Sequence, residues 1–333
     1  MVRSNISKMK INHLDLFSGI GGFHLGFERA GYEITSYFSE IDKHAVAVYK
    51  HQFPTSTYVG SVTDVRGADL PRINLITFGS PCQDFSLAGK RKGMEGQRSS
   101  LVLQAIRLIS ECRPSVFVWE NVKGTFSSND GADFWAIIQA FTDIGGYRLE
   151  WQLLNTSWFL PQNRERIYLV GYSTNPSGGG VFPVGKNDRE AYELQGQHIQ
   201  ANTILARYDS GSNGTYIGER ELASQVKQIG TKLDSNGGTQ PYQQDRVYDA
   251  DGILPALNQG KSDLIIKEQY RIRRLTPIEC ERLQGFPDQH TAYGNYDGEV
   301  KPMNNSQRYK QCGNAVTVDV VAAVAKKCIP LFN

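Results

Sequence analysis

The chain has 333 residues, 40% of them hydrophobic and 21% charged, with a formal net charge of +2. This is an ordinary globular composition, with room for one large domain and a smaller one. No apolar run reaches membrane-span length, Met1 to Lys10 lacks the apolar core of a signal peptide, and the charge balance alone gives no reason to expect nucleic acid.

The five cysteines, at 82, 112, 280, 312 and 328, form no Cys-x-x-Cys pair and are odd in number. Zinc and a disulfide framework are therefore disfavoured, no metal site is expected, and free thiols fit a reducing cytoplasmic setting.

In chain order, 11–16 reads as a short strand running into the turn Phe17-Ser18-Gly19-Ile20-Gly21-Gly22. A helix follows over 23–30, closed by Gly31 at C′. A strand over 33–39 leads to Glu40-Ile41-Asp42 and a helix over 43–53. The strand 75–78 is followed by a helix over 99–112, where apolar residues recur at helical spacing. After the strand 116–119 come a helix over 133–144 and two pairing strands, 149–154 and 167–172. This alternation predicts an α/β fold with a doubly wound, mostly parallel sheet. From about Asn175 to Lys267, Gly, Ser, Asn, Gln and Asp dominate. That change predicts two domains: 11–174 with 270–330, and a smaller β- and loop-rich domain over 175–269. Thr276, Pro277 and Glu279 form a helix start, and 314–328 is expected as one apolar helix.

Two strand ends carry candidate chemistry. Strand 75–78 runs into Gly79-Ser80-Pro81-Cys82-Gln83, placing a thiol at the carboxyl edge of the sheet, where open α/β folds bind ligands. Strand 116–119 ends in Glu120-Asn121-Val122. A thiol and a carboxylate so placed suit a nucleophile with an acid/base partner. The glycine turn presents backbone amides to a ligand, and Glu40 is placed to bond ribose hydroxyls. A nicotinamide fingerprint requires glycine where His24 stands, which disfavours NAD. Segment 86–100, with Gly89, Gly93 and Gly96, reads as a lid whose Ser86, Lys90, Arg91 and Arg98 are available to phosphates.

Taken together, Asp15 to Gly22, Pro81-Cys82-Gln83, Glu120-Asn121-Val122, Gln162 to Arg166, Arg271 to Asp288 and Gly313-Asn314-Ala315-Val316 resemble, in order, signature motifs of the DNA cytosine-C5 methyltransferases. The resemblance covers roughly 11–172 and 270–330. It implies an S-adenosylmethionine-dependent, Rossmann-like catalytic domain, with the cofactor on Phe17, Ser18, Gly19, Gly21, Gly22, Glu40, Ile41, Ser61, Val62, Pro81 and Asn314. It implies that Cys82 attacks C6 of a cytosine flipped out of duplex DNA. By the same resemblance Glu120 in its protonated form bonds N3, Arg166 contacts O2 and Arg164 orders the site. Gln83, Ser86, Lys90, Arg91, Arg98, Arg271 and Arg273 are the implied DNA contacts.

Segment 175–269 falls where the family has its target-recognition domain, with candidate readers in 207–217 and 240–263. Two positions depart from the family pattern: Ser61 stands where an acid usually holds the adenine amine, and Ile41 where an aromatic residue often follows the ribose-binding acid. Either Ser61 or Asp64 is then available to the base. The implied protein is a monomer without membrane contact, bound to bacterial nucleoid DNA, with or without a cognate restriction endonuclease. The alternatives are a tRNA methyltransferase with the same catalytic domain and a catalytically silent DNA-binding relative. An amino-directed enzyme is disfavoured by the lack of a Pro-Pro-Tyr or Pro-Pro-Phe motif.

Overall fold

A computed structural model describes residues 8–79, 100–173, 180–185, 188 and 271–332, with short strands at 201–202, 216–219, 228–231 and 246–248. Seven strands form the central sheet: β1 (Met9–Leu16), β2 (Tyr32–Ser39), β3 (Thr57–Tyr58), β4 (Leu75–Gly79), β5 (Val116–Val122), β6 (Tyr147–Asn155) and β8 (Glu165–Ser173). Their order is β3-β2-β1-β4-β5-β8-β6, parallel except for β8, which runs against both neighbours. The chain leaves β1 in one direction and returns to β4 on its other side. The crevice between these two strands is therefore the topological switch point, where such sheets bind ligands.

Both faces of the sheet are covered, which is why its strands read as nearly continuous apolar runs. On one face Ile11, Leu75, Val118 and Val170 pack with Phe23 and Phe27 of α1 (Gly22–Arg29) and with Val320 and Val324 of α7 (Val318–Cys328). On the other, Leu14, Ile76, Phe117 and Leu169 pack with α3 (Ser100–Cys112) and α4 (Ala132–Asp143). Helix α2 (Lys43–Gln52) starts at Asp42, whose side chain caps it by accepting from the His44 and Ala45 amides.

Beyond the sheet, β7 (Gln162–Asn163) pairs with β9 (Ala201–Asn202), β10 (Tyr216–Glu219) with β13 (Arg271–Arg274), and β11 (Gln228–Thr231) with β12 (Arg246–Tyr248). The hairpin β14 (Tyr293–Tyr296) and β15 (Glu299–Pro302) lies between α5 (Pro277–Leu283) and α6 (Asn305–Asn314). Helix α5 begins with a complete capping box: the Glu279 amide donates to Thr276 Oγ1 at 3.3 Å, and the Thr276 amide to the Glu279 carboxylate at 2.7 Å. Among the described residues no helix is long and apolar enough to cross a membrane.

Three sequence expectations need correction. The run 314–328 is not one helix: α6 ends at Asn314, Ala315 and Thr317 are extended, and α7 starts at Val318. The carbonyls of Gly313 and Ala315, which a continuous helix would pair with its own amides, accept instead from Arg164. Strand β5 runs on to Val122, so Glu120 lies within the sheet rather than beyond it. Finally, Val181 and Val184 are buried in the core over β6 and β8. The Glu150 and Gln152 side chains hold the amides of Val181, Phe182 and Val184, so residues 180–185 pack with the central sheet rather than apart from it.

Candidate functional site

A cavity of about 430 Å³ opens at the carboxyl ends of β1, β2, β4 and β5. One wall comes from the turn after β1. Phe17, Gly19 and Gly21 all have positive φ (51°, 53° and 86°), which curls the backbone around the cavity edge. At Gly21 a side chain would be strained, because φ is positive and a Cβ would lie 2.3 Å from the Phe53 ring, which would have to shift. Glu40 locks the turn: its carboxylate accepts from the Gly19 amide at 3.0 Å and from the Ile41 and Asp42 amides at 2.8 and 2.9 Å. A carboxylate has about four acceptor positions, so Glu40 can still receive a hydroxyl. His290 supports the turn from behind, its Nε2 2.9 Å from the Ile20 carbonyl, and burial pushes its pKa down to about 4.

Beneath the turn, Asp15 is fully buried. It accepts from Thr77 Oγ1 at 2.9 Å and the Tyr49 hydroxyl at 3.3 Å, tying β1 to β4. Burial raises its carboxyl well above the usual range, against the pull of those two hydrogen bonds. His24, which stands where a nicotinamide fingerprint needs glycine, is buried in α1. It stacks on Phe53 and lies 3.0 Å from the Tyr49 hydroxyl.

The opposite wall rises from β4, β5 and β8. Glu120 sits beside Gly79 in register, and a Cβ at Gly79 would come within 3.1 Å of Glu120 Oε2, so glycine gives the carboxylate its room. Arg166 Nε lies 3.0 Å from Glu120 Oε1, an ion pair whose angle falls outside hydrogen-bond geometry. Arg164, only 4% exposed, donates to the Gly313 carbonyl at 3.3 Å and the Ala315 carbonyl at 3.0 Å. It thereby fixes the extended link between α6 and α7 against the start of β8. The Glu165 carboxylate instead pairs with Lys123 at 2.9 Å, while its backbone carbonyl accepts from Arg166 Nη1 at 2.8 Å.

Phe17, Gly19, Glu40, Ile41, Ser61 and Val62 therefore line the same cavity as Glu120, Arg164, Arg166 and Asn314. Ile41 is 80% exposed, an apolar side chain at the mouth with nothing packed over it. Ser61 lines the cavity and Asp64 does not; Asp64 accepts from the Thr63 hydroxyl. Ser18, Gly21 and Gly22 lie behind the wall: the Ser18 amide donates to the Ser39 carbonyl, and Gly22 packs on Val316. Pro81, Cys82, Gln83, Ser86, Lys90, Arg91 and Arg98 lie outside the described residues, as do most of 207–217 and 240–263. At Arg271 and Arg273 only the backbone, in β13, is described.

Sequence reasoning missed Asp42, Asn121, Lys310, Gln311 and Gly313 as lining residues. Asp42 was findable as an acidic N-cap next to Glu40. Nothing local marks Lys310.

A family model for C-5 cytosine-specific DNA methylases matches residues 11–330. The type II methyltransferase M1.ScrFI of Lactococcus lactis subsp. cremoris is 31% identical, over 99% of this chain and 80% of its own length. M.NlaX of Neisseria lactamica, another type II methyltransferase, is 32% identical over 94% and 95%. Among solved structures, the Dnmt2 methyltransferase of S. pombe superposes with a TM-score of 0.60 at 16% identity, covering 97% of this chain and 99% of its own. At that identity the likeness shows the fold.

Proposed function

We propose that this chain, which belongs to the C-5 cytosine-specific DNA methylase family, holds S-adenosylmethionine against the glycine turn and a flipped cytosine against Glu120, in one cavity. The enzyme methylates C5 of cytosine in DNA; the residue roles below are our reading. The juxtaposition of the Glu40 wall and the Glu120–Arg166 pair across a single cavity carries it.

The residues present fit the cofactor. Glu40 offers acceptor positions to ribose hydroxyls, Ile41 and Val62 offer apolar contact to a flat base, and Ser61 supplies a hydroxyl in place of an acid. When bound, S-adenosylmethionine supplies an electrophilic methyl group.

The rest falls to protein groups. Cys82 is proposed to add as thiolate to C6 of the cytosine. The four described thiols are poor candidates for this step: burial raises Cys112 to about 11 and also pushes Cys280, Cys312 and Cys328 well above the ordinary thiol value. Glu120 bonds N3 and the exocyclic amine, which makes C6 electrophilic and excludes thymine. Arg166, already at the Glu120 carboxylate, is placed to meet O2. Once C5 has taken the methyl group, loss of its proton to solvent and departure of the Cys82 sulfur restore the aromatic ring. Of segment 175–269, the part beyond the core-packed residues 180–185 is proposed to read the target sequence through edge contacts in the major groove. Cytoplasmic location, duplex DNA as partner and a monomeric state complete the reading.

Bisulfite sequencing of DNA from cells expressing the chain tests it. Protected cytosines should fall in one sequence context and vanish with Cys82→Ala. Exchange of 189–269 for a relative's segment, which spares the core-packed residues 180–185, should move that context. Methylation of tRNA with none of DNA would contradict the assignment. An active hybrid that keeps the original context would place recognition elsewhere.

A further inference from the structure

A hydroxyl can donate or accept, whereas a carboxylate only accepts, so Ser61 in the cavity wall is ambiguous until its proton is placed. The neighbouring side chains place it. Thr63 has one hydroxyl proton and donates it to Asp64 Oδ1 at 3.1 Å. In the 2.8 Å contact between Ser61 Oγ and Thr63 Oγ1, the threonine oxygen must therefore accept and the serine donate. The Thr63 amide donates to Ser61 Oγ at 3.4 Å. With its own proton spent, Ser61 has only a lone pair left for the cavity.

The turn that carries this relay is fixed to the core. Val62 and Val65 are buried, and Arg107 of α3 donates to both of their carbonyls, at 3.2 and 2.9 Å. The Asp64 amide closes the turn on the Ser61 carbonyl at 2.9 Å. Thr63 and Asp64 are themselves exposed, so the order of the hydroxyls comes from a held backbone rather than from burial. On the cavity side, Ser39 Oγ donates to the Gly60 carbonyl at 2.8 Å, which sets Ser61 beside the end of β2, next to Glu40. In a nucleoside the base is joined directly to the ribose. A ligand whose ribose hydroxyls meet Glu40 therefore has its base within reach of Ser61.

We propose that Asp64, acting through Thr63, fixes Ser61 as a hydrogen-bond acceptor and so makes the cavity select a 6-amino purine over a 6-oxo purine. Ser61 is the specificity-determining contact, and Thr63 and Asp64 are positioning residues. The inference rests on the reading that this cavity holds S-adenosylmethionine with its base toward Ser61. An amine at position 6 of the purine donates to the Ser61 lone pair. An oxygen there would set two acceptors against each other.

Calorimetry on the full chain tests this, with S-adenosylhomocysteine and S-inosylhomocysteine as separate titrants. The second ligand carries oxygen in place of the amine at position 6. Wild-type protein should bind the adenine ligand more tightly by about tenfold. Thr63→Val keeps the shape of the side chain but leaves the Ser61 proton free to turn toward the ligand. It should strengthen binding of the inosine ligand by about three- to tenfold, a gain that damage to the turn could not produce. Thr63→Ser, which keeps the hydroxyl, should hold the wild-type ratio of dissociation constants to within about twofold. Asp64→Ala frees the Thr63 proton, lets the two hydroxyls reverse, and should move the ratio in the same direction as Thr63→Val. A wild-type preference below about twofold would overturn the proposal. So would a Thr63→Val variant that gains nothing for the inosine ligand. Wild-type protein that binds neither ligand would instead overturn the cofactor reading itself, a result distinct from these.

Discussion

On the Glu40 side of the cavity, the decisive contact joins Gly19 and Glu40, 21 residues apart, and the shape comes from backbone conformation at Phe17, Gly19 and Gly21. On the Glu120 side, Arg164 reaches carbonyls 149 and 151 residues away, and Arg166 crosses from β8 to β5. The first wall is closed mainly within the β1–α1–β2 unit, with His290 supporting the turn from a distant part of the chain. The second exists only once the sheet and the α6–α7 link have assembled around charged side chains. A local backbone cradle suits a ligand that every turnover needs in the same place. A wall of long side chains held by distant partners suits a base that must enter and leave.

Damage to the two walls should therefore separate. Arg164→Met should have the largest effect. It leaves the Gly313 and Ala315 carbonyls without their donor in a buried site, at a cost of about 1–3 kcal/mol for each carbonyl in urea unfolding. Methyl transfer should fall much further than cofactor affinity does; equal losses would mean that the two walls are one unit.

Acid should act on the other wall. His290 holds the Ile20 carbonyl, and its folded-state pKa is lowered to about 4, against about 6.5 in an unfolded chain. A base with a depressed folded pKa takes up its proton first in the unfolded chain. Its contribution is therefore intact above about pH 6.5 and is lost as pH falls from there to about 4, by about 3 kcal/mol in all. The stability of His290→Gln, measured against wild type across that window, should lack this slope. Parallel curves would show that the histidine is not buried neutral.

Gly21→Ala should be the mildest. It forces a side chain into the left-handed region and against the Phe53 ring, a strain of about 2 kcal/mol that a shift of the ring partly relieves. It should weaken S-adenosylmethionine binding and leave the Glu120–Arg166 pair in place. Unchanged cofactor affinity would separate the turn from the ligand.

The same contrast explains what could be read before the fold was known. The strand into Phe17–Gly22, the acid at Glu40, the strand bearing Glu120 and the Thr276 capping box are local patterns, and each lies where its own residues put it. The break between α6 and α7 was hidden because Ala315 to Ala325 is apolar apart from Thr317 and Asp319 and reads as one helix. Only Arg164, from another element, takes the carbonyls that decide the break. The Asp42–Lys310 contact spans 268 residues, and a lysine on a polar helix carries no sign of its partner. Residues 180–185 look like the start of the loop-rich segment, yet Glu150 and Gln152 bind their backbone and two valines fill the core.

The central claim is that the cavity serves a covalent reaction at cytosine, and trapping with 5-fluorocytosine tests it most directly. With fluorine at C5 no proton can leave, so the methylated adduct cannot eliminate the enzyme. Duplex DNA carrying 5-fluorocytosine at the target, incubated with the protein and S-adenosylmethionine, should give a stable protein–DNA species. Its crosslink should map by mass spectrometry to the peptide containing Cys82. Cys112→Ala should still form it and Cys82→Ala should not. An adduct formed by Cys82→Ala, or one mapped to another cysteine, would contradict the account.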